Sequence, residues 1–218
     1  MTRWQIFNDC LTKELVSATD NPLIVTEEDQ IRVISAYNCH GQNLAFAMES
    51  MSQALSELGT LSKKRLERLL DDDVSDLPKY LVKEVGLNSG MMIPHYVVSS
   101  LVAQLRHMSQ PMITMNFPAS GDQEDHTSMA TQIVNKACSQ IHLVYQVLAI
   151  ELLCVVQAME FVDHGNLSRL AKATYSMVRE KVPALDEDRS LAPDFEVLSE
   201  LLKSNRLLEI LGENQLSL

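Results

Sequence analysis

From Glu124 to about Asp163 the chain keeps one helical pattern of apolar residues, about 40 residues that would form a rod about 60 Å long at about 1.5 Å per residue. A helix of that length fixes the architecture, because its apolar face is covered only if other helices lie along it as a bundle. Its most apolar stretch, Ile141 to Val162, is also long enough to span a bilayer. Gln146, Glu151, Gln157 and Glu160 recur within it, however, and charged groups at membrane depth cost a few kcal/mol each. The stretch therefore reads as a buried bundle helix, with no membrane partner expected.

The rest of the chain fits around such a rod. Trp4, Ile6, Phe7, Cys10, Leu11 and Leu15 recur at helical spacing ahead of the turn Asp20-Asn21-Pro22, giving an amphipathic first helix whose exposed aromatics call for cover from the chain itself or from a partner. Leu23 to Val25 and Ile31 to Ile34 flank the polar Thr26 to Gln30 and read as a small hairpin, the only sheet expected. A helix follows over Gln42 to Leu70, with Lys63, Lys64, Arg65 and Arg68 forming a solvated basic end. Asp71 to Gly90 and Pro111 to Asp122 read as irregular connections. Pro94 sits early in a helix that Pro111 stops, two shorter helices fall over Leu167 to Val182 and Pro193 to Leu202, and the tail Leu207 to Leu218 reads as partly ordered. The fold class is thus all-α, a long-helix bundle with a small β-hairpin near the N-terminus, in a single domain over residues 1–218.

Composition narrows the function. With 218 residues, 46% of them hydrophobic and 22% charged, the chain is an ordinary globular one, and its net charge of −11 argues against nucleic acid and anionic membranes as partners. The four cysteines, Cys10, Cys39, Cys138 and Cys154, are widely spaced and fit reduced thiols in the cytoplasm. Arg3, Asp9 and Lys13 break the apolar core that a signal peptide would need.

Residues 117 to 129, Phe-Pro-Ala-Ser-Gly-Asp-Gln-Glu-Asp-His-Thr-Ser-Met, place a polar cluster between a Pro/Gly turn and the long apolar pattern. Gln123, Glu124, Asp125 and His126 are expected in the first turn of the helix, where carboxylates suit the positive helix end. Two readings stand side by side: an acidic helix start capped at Ser120 or Asp122, and a set of side chains directed into a site. Asn38, His40 and His126 are further polar candidates, but spacing alone does not bring 38–40 beside 123–126. No His-x-x-x-His or Cys-x-x-Cys spacing supports a metal site, and neither a nucleophile elbow nor a phosphate-binding glycine loop is present.

The segment Gln-Glu-Asp-His-x-Ser-Met after a proline-containing loop resembles the second signature of the histidine and aromatic amino acid ammonia-lyases. The resemblance continues in order through Ser17-Ala18-Thr19-Asp20-Asn21-Pro22-Leu23, Asn38-Cys39-His40, Leu58-Gly59-Thr60-Leu61-Ser62-Lys63-Lys64-Arg65 and Val85-Gly86-Leu87-Asn88-Ser89-Gly90-Met91-Met92-Ile93. It implies the C-terminal, helical-bundle portion of such an enzyme, with the family's N-terminal part absent from these residues.

In histidine ammonia-lyases the position matching Glu124 lies near the substrate imidazole, whereas phenylalanine and tyrosine lyases usually carry Gln there. A carboxylate accepts a hydrogen bond from an imidazole N–H or exchanges a proton with it, which a phenyl ring does not reciprocate. The resemblance therefore assigns Glu124 the catalytic position and points to L-histidine, with Gln123, Asn38, Cys39 and His40 expected to line the substrate. Cys39 departs from the family, which usually has an aromatic residue in an Asn-Phe-His segment, and leaves that volume empty.

Ala119-Ser120-Gly121 matches the tripeptide that these enzymes cyclise to a methylidene-imidazolone electrophile, but here it aligns with the small-residue turn before Gln-Glu-Asp-His. The cofactor is expected only in the N-terminal part, together with the tyrosine base, the Asn and the carboxylate-binding Arg. No cofactor is expected in this chain. The resemblance also implies self-association or a complementary N-terminal lyase chain. The alternatives are a non-catalytic helical oligomerisation module, a fragment of a phenylalanine or tyrosine ammonia-lyase or aminomutase, and a bundle lyase of the fumarase and aspartase kind.

Overall fold

The structure is a computed structural model that describes residues 2–36 and 38–213, the side chains of Leu211 and Glu213 excepted. It divides into two compact units, residues 1–56 with 106–141 and residues 57–105 with 142–218.

The first unit opens with α1, Arg3–Val16, whose start is fixed by a capping box. The Gln5 backbone N–H donates to Thr2 Oγ1 at 3.2 Å, and the Thr2 N–H donates to Gln5 Oε1 at 2.7 Å. Trp4 is 61% exposed, whereas Phe7 packs on a core of Ala45, Met48, Ile133 and Ala137. Covering of the first helix is therefore partial and falls on Phe7.

β1, Leu23–Glu27, pairs antiparallel with β2, Gln30–Ile34, in the register Leu23↔Ile34 through Glu27↔Gln30. This is the hairpin expected from the β-branched runs, and it is the only sheet among the described residues. The two-residue loop puts Glu28 and Asp29 at φ 47° and 61°, a turn with both central residues left-handed, which normally selects Asn-Gly. Replacing the pair together (Glu28→Asn, Asp29→Gly) is expected to stabilise the chain by about 0.5–1 kcal/mol, read as a higher denaturation midpoint at unchanged slope.

α2, Gln42–Leu70, matches the helix read from sequence, and the first unit holds it as far as Ser56. It is entered through a short 3-10 turn, Asn38–His40, and Gly41 at φ 63°, a conformation that favours glycine. The long helix α5 is shorter than its sequence pattern: it runs Ala130–Ala158 and ends in a 3-10 turn over Met159–Phe161. Residues 124–129 are not helical, so Gln123 to His126 do not form a first helical turn. Met129 has φ 54°, which breaks the helical path, and the buried Ser128 accepts the Ala130 N–H through Oγ at 3.2 Å, starting the helix there.

The second unit contains the remainder of α2, the one-turn α3 at Asp72–Ser75, a 3-10 turn at Lys79–Leu81, α4 at Met92–Met108 as far as Leu105, and α5 from His142. α6 (Arg169–Arg179), α7 (Ala192–Lys203) and α8 (Arg206–Glu213) complete it. The tail expected to be partly ordered is helical to Glu213, and 214–218 lie outside the described residues.

The basic end of α2 is not simply solvated. Arg65 reaches Glu151 with Nε at 2.5 Å and Nη2 at 2.8 Å, Ser62 donates to the same carboxylate at 2.6 Å, and Lys63 and Lys64 pair with Glu67. The buried Gln157 of α5 uses its whole amide: Nε2 donates to Leu81 O at 3.3 Å and Leu185 O at 3.0 Å. Its Oε1 accepts from Leu185 N at 3.0 Å and Arg179 Nη2 at 3.1 Å. Among the described residues one helix, 130–161, is long and apolar enough to cross a bilayer, but half of its most apolar window is buried within the fold. Glu151 and Gln157 of this helix find their polar partners within the second unit, as given above.

The irregular stretch 82–91 is pinned by Asp188, whose carboxylate accepts the backbone N–H groups of Ser89 at 2.7 Å and Gly90 at 2.9 Å. Gly90, at φ 55°, has no room for a Cβ, which would stand 2.5 Å from Tyr80 O. The Ser89 and then the Gly90 hydrogen bonds hold the Asp188 carboxyl below the usual aspartate range. A depressed folded value means this stabilisation is complete above the ordinary aspartate pKa of about 4 and is lost as pH falls through the folded value. Asp188→Asn should therefore flatten the melting-temperature profile below about pH 4, checked by thermal melts across an acid series.

Candidate functional site

The site lies wholly in the first unit, where the 3-10 turn at 38–40 meets the irregular segment between α4 and α5. That segment is a small looped structure closed at its base by Asn116. Asn116 Oδ1 accepts the Thr127 N–H at 3.0 Å, Asn116 Nδ2 lies 3.0 Å from His126 Nδ1, and Thr127 Oγ1 donates to Phe117 O at 3.3 Å. One rung higher, Ala119 and Glu124 form an antiparallel bridge, with Ala119 N to Glu124 O at 2.8 Å and Glu124 N to Ala119 O at 3.2 Å. Ser120, Gly121 and Asp122 turn the loop with φ of 54°, 65° and 65°.

Two contacts fix the loop to its surroundings. His126 Nε2 lies 2.7 Å from Gln42 Oε1 at the start of α2, and Ser128 Oγ donates to the carbonyl of His40. His40 Nε2 then stands 3.9 Å from Glu124 Oε2, and the His40 and His126 rings meet edge-on at 5.9 Å between centroids. The Glu124 side chain is 48% exposed and that of His40 19%, so a carboxylate open to solvent faces a mostly covered imidazole. A hollow of about 310 Å³ opens beside His40, lined also by Thr127, Ser128 and Met129. A carboxylate in this position can accept a hydrogen bond from an imidazole N–H or carry a proton to or from it.

The structure thus brings His40 and Glu124 together with His126, which spacing alone did not do. It does not bring Asn38 to the same place: Asn38 donates to Ala18 O at 3.5 Å and lines a separate groove with Asp9, Lys13, Glu14 and Asn43. Cys39 and Gln123 are exposed, Gln123 in the turn with its N–H toward Ser120 O at 3.4 Å. Asn116 and Gln42 join the site only through the structure. Their only signal was a short polar side chain ten residues ahead of His126 and a glutamine opening α2.

Ala119-Ser120-Gly121 forms an open turn in which a Cβ on Gly121 would meet nothing within 4 Å.

A buried ion pair sets the entry of the segment. Glu49, 4% exposed on α2, accepts the Met112 N–H at 2.6 Å and pairs with Lys136 of α5 at 2.8 Å, while Lys136 also donates to Gln110 O at 3.0 Å. Removing one partner strands the other charge in the interior. Lys136→Met is expected to destabilise by about 3–5 kcal/mol, and Glu49→Gln combined with Lys136→Met should recover much of that, measured as a double-mutant cycle by denaturant unfolding.

The chain matches the family profile for aromatic amino acid lyases over residues 1–180. It is 42% identical over 195 residues to the histidine ammonia-lyase of Symbiobacterium thermophilum, covering 89% of this chain and 38% of that protein. Among solved structures, histidine ammonia-lyase from Trypanosoma cruzi superposes with a TM-score of 0.88 at 33% identity, covering 97% of this chain and 41% of the other. Tyrosine aminomutase from Streptomyces globisporus superposes with a TM-score of 0.91 at 33% identity, over 99% and 41% of the two chains. The chain belongs to the aromatic amino acid lyase family. It spans about two fifths of the length of these relatives.

Proposed function

We propose that this chain supplies the imidazole-recognising carboxylate and the bundle helices of a histidine ammonia-lyase, in which the Cα–N bond of L-histidine breaks, a Cβ proton passes to a base, and urocanate and ammonia leave. The observation that carries the reading is Glu124, whose exposed carboxylate faces an imidazole at 3.9 Å in the family's Gln-Glu-Asp-His segment. His40, Cys39 and Gln123 would border the substrate, and Asn38 would act from the adjoining groove. The methylidene-imidazolone, the tyrosine base and the carboxylate-binding Arg would come from the portion of the relatives' length that these residues do not span. The reaction would then need that portion, together with self-association. The free thiols suit the cytoplasm.

Urocanate formation, followed at its ultraviolet band, is expected only when the 218-residue chain is assembled with a complementary N-terminal lyase portion. Activity from these residues alone would refute the need for the partner, and no activity in a correctly assembled complex would refute the lyase reading. In the active complex Glu124→Gln should lower kcat/KM for histidine about 10- to 100-fold, the worth of one charged hydrogen bond, with phenylalanine turnover unchanged or improved.

A second reading is favoured by Cys39, which stands exposed where the family usually packs an aromatic ring. In it the chain is a non-catalytic helical oligomerisation module. Glu124→Gln would then leave assembly and every binding property as they were. The similarity to a tyrosine aminomutase makes a β-amino acid the product to assay alongside urocanate.

A further inference from the structure

His126 contacts Asn116 and Gln42, and the reaction proposed above gives it no task. Its two hydrogen bonds nevertheless fix its chemical state. The Asn116 amide cannot be reversed, because its Oδ1 accepts the backbone N–H of Thr127 at 3.0 Å, so its Nδ2 must be the group 3.0 Å from His126 Nδ1. An amide NH₂ only donates, so Nδ1 must accept and carries no hydrogen. A neutral imidazole has one N–H, which therefore sits on Nε2 and donates to Gln42 Oε1 at 2.7 Å. A reversed Gln42 amide would leave a ring accepting at both nitrogens, which no protonation state allows.

We propose that His126 is a positioning residue for Glu124, locked as the neutral Nε2–H tautomer between Gln42 and Asn116. The lock closes the base of the loop from Asn116 to Thr127, and the next rung of that loop is the Ala119–Glu124 bridge. Through Gln42 the same ring ties the loop to the first turn of α2, directly after the 3-10 turn that carries His40. The position of Glu124 opposite His40 thus depends on which nitrogen of His126 holds the proton. Among the described residues, the charged or titratable groups that meet the ring or its ring neighbour are His40, at 5.9 Å between centroids, and, beyond it, Glu124. The substrate role of Glu124 rests on the lyase reading, but the positioning does not.

The test uses ¹⁵N-labelled 218-residue chain without substrate, at a mildly alkaline pH where an unperturbed imidazole is neutral. Long-range imidazole spectra should show His126 Nδ1 unprotonated and Nε2 protonated. Asn116→Asp keeps the acceptor for Thr127 but presents an oxygen to Nδ1, and should move a proton onto Nδ1. His126→Phe keeps a ring of similar size without its hydrogen bonds, and should speed amide hydrogen exchange at Glu124 about fivefold or more. An Nδ1–H tautomer in the unsubstituted chain, an unchanged tautomer in Asn116→Asp, or unchanged Glu124 exchange in a folded His126→Phe would each overturn the proposal. If the assembled enzyme forms no urocanate, the lyase reading fails while these substrate-free readouts still decide the positioning role.

Discussion

The first unit depends on one buried carboxylate. Glu49 sits 4% exposed on α2 with three polar demands around it: its own charge, the ammonium of Lys136 and the N–H of Met112. A lone carboxylate there would cost several kcal/mol to desolvate, and the pair lowers that cost only because Lys136 and the Met112 amide both close on it. The arrangement fixes where the chain enters the segment that ends at α5, since Lys136 also holds the carbonyl of Gln110. With Met112 and Ile113 packed beside Ala45, Met48, Ile133 and Ala137, polar and apolar contacts place the same few residues. Everything from Asn116 to Ser128 hangs from that entry. The geometry of Glu124 is therefore set partly by an ion pair that touches neither it nor His40.

Elements whose own residues carry a repeating pattern were legible in the sequence. α2 falls on Gln42–Leu70 as its apolar period indicates, and the hairpin falls on the two β-branched runs around a polar connector. α4, α6 and α7 lie within a few residues of their expected bounds, because proline positions and capping residues mark their ends. What sequence did not give were features decided by partners distant along the chain. Arg65 reads as part of a solvated basic run until Glu151, 86 positions away, is beside it. Gln157 reads as a polar interruption of an apolar helix, yet its four hydrogen bonds reach Leu81, Arg179 and Leu185.

The candidate site divides in the same way. The residue types at 38–40 and 123–126 pointed to the family, and the family supplied the expectation that they meet. The structure brings His40 to Glu124 but turns Asn38 toward α1, a distinction that three adjacent residues in a 3-10 turn make by geometry rather than by identity. Successive side chains in such a turn point about 120° apart, so neighbours in sequence seldom share one pocket. Gln42 and Asn116 stayed invisible because an amide becomes informative only when its partner is known.

The least expected feature is that residues 124–129 decline a helix their composition favours. Acidic residues ahead of a long apolar run suit the positive end of a helix, and continuing α5 backward would satisfy their backbone groups at no cost in φ. The fold accepts instead Ser120 and Met129 at φ 54°, each costing on the order of 1 kcal/mol or more. Local propensity offers nothing in return, so the compensation has to be tertiary. It is found in the Ser128 hydroxyl on His40 O, the His126 ring between Gln42 and Asn116, and the Met112 amide on Glu49. Each of these joins the segment to α2 or to the turn before it, and together they hold an acidic side chain open to solvent against a covered imidazole. A helix would have swept the same side chains around its axis at about 100° per residue and lost that pairing. Strain retained at this point, with local alternatives available, shows the segment to be shaped by its tertiary contacts rather than by what its own sequence prefers.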